Sequence, residues 1–191
     1  MALIFRSGPS VEPVSVSEAK AHLRLETDGD DTLVASLILT SRLHIEQALG
    51  LALITQEWTY VRDRWPRGGE LILPLRPVQA VSAARIFAAD GTFQLLDAAD
   101  YLLDGHGTPA RLIAAEGTWP VPGRAAQGIE IDIRVGFGDA ASDVPRPIRQ
   151  ALLLLVAHWY EHRDPIEIGS LEAAIPSAVS ELLMPYRVER L

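Results

Sequence analysis

Cysteine is absent from all 191 residues, which excludes disulfides, a thiolate nucleophile and any cysteine-ligated metal. That absence fits a reducing compartment. Lysine is nearly absent too. Lys20 stands alone, and the remaining basic residues, out of 17 in total, are arginines. Base composition of the gene accounts for this most simply, although the planar, multi-donor arginine head also suits protein interfaces. Basic charge as a whole is in deficit: 25 acidic residues leave a net charge of −8. Such a chain is not built to wrap nucleic acid, whose phosphates are held by Lys and Arg displacing counterions. Long apolar runs are also missing. The longest, Ala151 to Ala157, falls far short of the ~20 residues that span a bilayer. Met1 to Phe5 is too short for a secretory h-region and runs into Arg6, Pro9 and Glu12. The expectation is a soluble protein without a membrane partner. No G-x-S-x-G elbow and no G-x-x-x-x-G-K-[ST] loop occurs, and Gly136-Phe-Gly138 has too few glycines for a dinucleotide loop and reads instead as a turn out of a sheet toward Pro145.

What is present is an ordinary globular composition, 48% hydrophobic and 22% charged. A chain of this size buries roughly 70% of its unfolded surface, so its core needs no covalent staples. Val14 to Glu26 reads as a helix, with Ser15 and Glu18 at capping-box spacing. Asp31 to Leu49 reads as a second, with Val34, Leu37, Ile38, Ile45 and Leu49 on one side and Gly50 placed to end it. From Pro147 a third helix carries apolar residues on most sides, with Pro165 as its stop. A short last helix, Ser177 to Met184, takes Ser177 as its cap and is stopped by Pro185.

Between these helical parts the period changes from 3.6 to 2. Ile54 to Asp63, Leu71 to Leu75, Tyr101 to Leu103, Arg111 to Ala114 and Ile129 to Val135 read as strands. Val81 to Ala89 and Thr92 to Leu96 flank Asp90-Gly91 as a hairpin. In the last strand Ile129, Ile131, Ile133 and Val135 alternate with Glu130, Asp132 and Arg134, one face for a core and one for water. The predicted fold class is α+β: a helical bundle formed by the N- and C-terminal parts, with an inserted small antiparallel sheet. Residues 1–13 form an N-terminal extension, 14–53 and 138–191 the helical core, and 54–137 the inserted β-rich region.

Few side chains are arranged for chemistry. His158-Trp-Tyr-Glu161-His162 has the spelling H-x-x-E-H of some zinc peptidases, where histidines four apart share a helix face. A third ligand is not apparent, since Glu167 and Glu172 lie in a Gly- and Pro-punctuated stretch, and basic groups near a helix C-terminus are favoured by its dipole anyway. His22, His44 and His106 are scattered singly. The Asp28, Asp30, Asp31 cluster lacks the further ligands of a calcium loop and reads as a helix start favoured by negative charge. The expectation is no catalytic residue, no metal and no cofactor. Trp58, Trp65, Trp119, Trp159, Tyr160 and Tyr186 serve either as core or as partner anchors, with core the simpler role for each. The segment Leu182, Leu183, Met184, Pro185, Tyr186, Arg187, Val188 differs. It is apolar, aromatic and arginine-bearing after a helix stop, which predicts docking on its own domain or a neighbour.

The order of these pieces resembles the head–tail connector (adaptor) family of long-tailed phages and gene transfer agents, over about Val14 to Val188. The resemblance is carried by Ser17-Glu-Ala-Lys-Ala-His-Leu23, Asp30-Asp31, Glu46 with Gly50-Leu-Ala-Leu-Ile-Thr-Gln56, and Leu73-Pro-Leu-Arg-Pro-Val78. It continues through Asp90-Gly91, Tyr101, Trp119-Pro120, Val135-Gly-Phe-Gly138, Val144-Pro145, Trp159-Tyr-Glu-His-Arg163, Ile175-Pro176 and Leu182-Leu-Met-Pro-Tyr-Arg187. Gly-Phe-Gly replaces the Gly-Tyr-Gly common among relatives. The resemblance implies a non-enzymatic structural protein, made in the bacterial cytoplasm and placed in the neck of a virion or gene-transfer-agent particle. It implies a ring of about twelve copies beneath the portal, linking a DNA-filled capsid to a stopper or tail-side protein. DNA would pass through the channel without specific binding. Residues 182–188 would meet the portal or a neighbouring subunit. The alternatives are a tail-side stopper or terminator component, and a zinc-dependent hydrolase using His158, Glu161 and His162.

Overall fold

The computed structural model describes residues 1–105, 107–162 and 176–188. The chain is α+β and divides into two compact units. One comprises Met1–Ser10 with Gly50–Phe137, the other Val11–Leu49 with Gly138–Leu191.

The first unit is β-rich. Its strands are β1 (Ala2–Ser7), β2 (Gln56–Arg62), β3 (Glu70–Ile72), β4 (Val78–Phe87), β5 (Phe93–Leu95), β6 (Tyr101–Asp104), β7 (Arg111–Ala114) and β8 (Ile129–Val135). They form not one sheet but two: a five-stranded sheet ordered β1-β2-β8-β4-β5 and a three-stranded one ordered β3-β7-β6. Every strand pair in both is antiparallel. The alternation read in β8 is what makes it central. Ile129, Ile131, Ile133 and Val135 are buried, while Glu130, Asp132 and Arg134 lie half-buried on the other side. These apolar side chains join Leu71 and Leu112 from the smaller sheet, and Leu73 just past β3, in one core. Turn chemistry closes the β4–β5 hairpin as expected: Gly91 takes φ +90°, and the Asp90 carboxylate accepts from the backbone and hydroxyl of Thr92 at 2.9 and 2.7 Å.

Residues 1–13, read as an N-terminal extension, contain β1, which pairs with β2 at the edge of the larger sheet. All six of its residues are exposed. A strand wet on both faces leaves no alternation to read, and this is why the sequence pattern missed it.

The second unit is helical. Helix α1 (Val16–Leu23) has the expected reciprocal cap, with Glu18 N donating to Ser15 Oγ at 3.2 Å and Ser15 N donating to Glu18 Oε2 at 2.9 Å. It stops short of the expected Glu26 because Arg24 turns left-handed, φ 58°. Helix α2 (Asp31–Leu49) matches its predicted span, with Gly50 at φ +63° just beyond it. Helix α3 (Arg146–Glu161) starts with Pro147 in its first turn and buries Ile148, Ala151, Leu152, Leu155 and Val156. It ends at His162, whose N–H donates to His158 O at 3.0 Å; Pro165, expected as its stop, lies outside the described residues. Helix α4 (Ser177–Leu183) corrects one expectation. Pro176 holds the cap position and Ser177 is already helical, since Pro176 supplies the extended backbone that a cap residue needs. Helices α1, α2 and α4 all pack on α3.

Candidate interaction surface

The segment 182–188 is built by a simple division along α4. Val179 and Leu183, four residues apart, share a helix face and are both buried. Met184 then opens a single 3-10 turn, Met184–Tyr186, which contains Pro185 and is closed by Arg187 N donating to Met184 O at 3.1 Å. The seven residues are therefore not equivalent. Leu183 belongs to the core, Leu182 and Tyr186 are half-buried, and Met184, Pro185, Arg187 and Val188 are exposed. Met184 and Val188 thus leave apolar side chains exposed near the exposed Arg187, on backbone held by the turn.

The aromatic residues sort by place. Trp65 and Trp119 stack with ring centroids 4.0 Å apart, and their indole N–H groups donate to Pro120 O and Gly69 O at 2.9 and 3.0 Å. They tie two long loops of the β-rich unit together beside an open cleft of about 660 Å³, whose charged lining is Arg64 and Arg124. Trp58 packs against the same core and meets Phe5 edge-on at 5.1 Å. In the helical unit Trp159 meets His44 edge-on at 5.7 Å, and the Tyr160 hydroxyl donates to Asp30 Oδ2.

That last bond helps explain the acidic cluster. Asp28 and Asp31 both engage Lys20 Nζ, at 2.5 and 2.7 Å, and Asp30 engages Tyr160. These carboxylates therefore have local partners in the helical unit, and the chain's single lysine is one of them.

His158 and His162 do lie together at the end of α3, with ring centroids 4.6 Å apart. Yet His162 Nδ1 sits 2.8 Å from His158 O, so that nitrogen is turned back on the helix terminus. Burial pushes the His158 imidazole below its ordinary value, the neighbouring His162 pushes the same way, and Glu161 opposes both. Among the described residues no group of three or more His, Asp or Glu side chains comes together in a way that would hold a metal ion. Glu167, Glu172 and His106 lie outside those residues.

Sequence reasoning passed over a further feature. The outer strands of the larger sheet carry exposed apolar side chains: Leu3, Ile4 and Phe5 on β1, and Phe93 and Leu95 on β5. The only signal of it is the uncharged run Met1-Ala-Leu-Ile-Phe5.

The model of the head completion protein family matches residues 12–188. The chain belongs to the head completion protein family. Three solved structures resemble this head completion protein along its whole length, each at 29% identity and covering 100% of this chain and 97% of the other. They are chains from the neck of an empty gene transfer agent (GTA) particle computed with C6 symmetry, at TM-score 0.86, and from the virion of a native GTA particle, at 0.83. The third is from the neck of a native GTA particle computed with C12 symmetry, at 0.78. No curated protein sequence matches this head completion protein. Among the described residues the family match takes in helices α1 to α4 and strands β2 to β8, and β1 lies outside it.

Proposed function

We propose that this head completion protein is a structural component of the neck, the head–tail junction of a phage or gene-transfer-agent particle. There its copies form a ring that links the DNA-filled capsid to the tail. One observation carries the reading: the chain matches solved GTA neck chains end to end, at TM-scores up to 0.86. A C12 neck computed for one of them supports a ring of about twelve copies. Within each copy the helical unit serves as a bundle, and Gly50–Phe137, most of the β-rich unit, is inserted in it, with Met1–Ser10 adding the edge strand β1. The role needs side chains that grip neighbours and asks no bond-making of them. The zinc-hydrolase alternative gains nothing from the comparisons. Net charge −8 suits a channel through which DNA slides without being held.

The ring sits between the portal and a stopper or tail-side protein, and the exposed part of 182–188 docks on the portal or on a neighbouring copy. Support for this comes from its geometry: Met184, Arg187 and Val188 project from a turn anchored by buried Leu183. The experiment replaces the chain in a particle-producing strain. Particles lacking it are expected to accumulate as filled or leaking heads unattached to tails, and normal attachment would refute the reading. Met184→Asp with Val188→Asp is expected to fold and yet be missing from purified particles. Wild-type incorporation of that variant would remove 182–188 from the docking surface.

A further inference from the structure

The outer strands β1 and β5 lie at opposite edges of one sheet, and they are matched to each other rather than to themselves. Residues 1–10 contain a single charged side chain, Arg6, and residues 88–100 contain Asp90, Asp97 and Asp100 with no Lys or Arg. Both edges are apolar. Leu3, Ile4 and Phe5 are 37%, 40% and 54% exposed, and Phe93 and Leu95 are 53% and 57% exposed. Unpaired sheet edges in single-chain proteins are blunted by lysine or proline within the strand. Neither residue occurs in β1 or β5, whose edges are limited only by the shortness of β5 and by an irregularity at Arg6 in β1. Each edge also holds its aromatic ring in place: Phe5 sits against Trp58, and Phe93 lies 5.7 Å from Phe87 and within 6.0 Å of the Arg85 guanidinium.

We infer that β1 of one copy docks against β5 of the next, so that the two edges of the larger sheet are the two halves of one self-association surface. This rests on the ring reading above. Strand direction favours it. The order β1-β2-β8-β4-β5 is antiparallel at every step, so four reversals leave β1 and β5 running the same way. One rotation repeated around a ring therefore sets β5 parallel to the neighbour's β1, a heterologous contact of the kind that closes rings. The alternatives are isologous and stop at a dimer. Pairing β5 with β5 would set three aspartates against three, and like charges opposed cost affinity. An antiparallel β1–β1 pair centred on Leu3–Phe5 would set Arg6, which donates to Thr59 Oγ1 at 2.7 Å, across from Ala2 and gain no charge match, so the mixed pair is the one that brings a basic and an acidic edge together. Because β5 has only three residues, about 10 Å of strand, main-chain pairing is brief, and the five apolar side chains supply the remaining contact.

The absence of cysteine gives a clean test. Four double variants, combining Ile4→Cys or Phe5→Cys with Phe93→Cys or Leu95→Cys, are incorporated into particles and mildly oxidised. At least one is expected to give a covalent ladder beyond the dimer on a non-reducing gel, while single-cysteine controls stop at dimer or below. Rings visible at the neck by electron microscopy, with no ladder from any pair, would overturn the edge contact and leave the ring reading standing. Wild-type particles whose neck holds no ring of this chain would overturn both. A second comparison isolates charge. Leu3→Asp and Leu3→Lys remove the same apolar side chain from the same edge, but only Asp faces the acidic β5 edge with like charge. Incorporation is expected to be about tenfold lower for Asp than for Lys, and equal incorporation would overturn the charge-matched pairing.

Discussion

Ser15 and Glu18 each satisfy a backbone N–H of the other at the start of α1. Removing the hydroxyl with Ser15→Ala is expected to cost about 1 kcal/mol, read from a denaturant melt. The Ser15 N–H holds the Glu18 carboxyl below its ordinary value of 4.5, with partial burial opposing and the Ser15 hydroxyl and Arg149 assisting. A carboxylate depressed in the folded state stabilises fully above its unfolded pKa, and that contribution fades as pH falls through the lower folded value. Thermal melts from pH 6 downward should therefore lose stability more gently in Glu18→Gln than in wild type (about half a unit per step resolves it). The effect is small, because Glu18 is 46% exposed and solvent screens it. A larger one is expected at Arg42, buried on α2 and paired with Glu12 at 2.7 Å and Glu46 at 2.8 Å. Arg42→Ala takes away the cation that faces both carboxylates and should destabilise the helical unit by ~3 kcal/mol by urea titration.

Strand β8 ends where Gly136 takes φ +133°, and a Cβ there would lie 2.7 Å from the carbonyl of Ile54. Its own carbonyl accepts from Gln79 Nε2 at 2.9 Å, and its N–H donates to Pro77 O at 2.9 Å. Gly136→Ala is thus caught between a left-handed backbone and a close backbone neighbour, with an expected loss of ~2 kcal/mol or more in a chemical melt. This turn was legible in the sequence as a glycine exit from a strand. So were α2, whose long 3.6-residue period and terminal glycine fix both ends, and the pleat of β8. What stayed hidden depended on partners distant in the chain. Nothing in Glu70–Ile72, Tyr101–Asp104 or Arg111–Ala114 says that these short strands pair with one another and apart from β2, β8 and β4. Strand β1 was hidden because both its faces are wet. In 182–188 the apolar, aromatic and arginine-bearing composition was readable in the sequence. The split between buried Leu183 and exposed Val188 was not, because it depends on how α4 sits on α3.

That split has a consequence for the whole molecule. Leu183→Ala should lower global stability by ~3 kcal/mol through the cavity it leaves. Val188→Asp should leave the melt within about 0.5 kcal/mol of wild type while impairing entry into particles. The contrast separates a chain that cannot fold from one that folds and cannot be seated. Both units are also discontinuous in sequence, the helical one joining Val11–Leu49 to the segment from Gly138 and the β-rich one joining Met1–Ser10 to Gly50–Phe137. On the ribosome, then, β1 emerges before α1 and α2, and those two helices wait through the whole of Gly50–Phe137 before α3 arrives to cover them. The sheets, whose first strand is made before α1 and whose last precedes α3, can close while the helical unit still lacks its third helix.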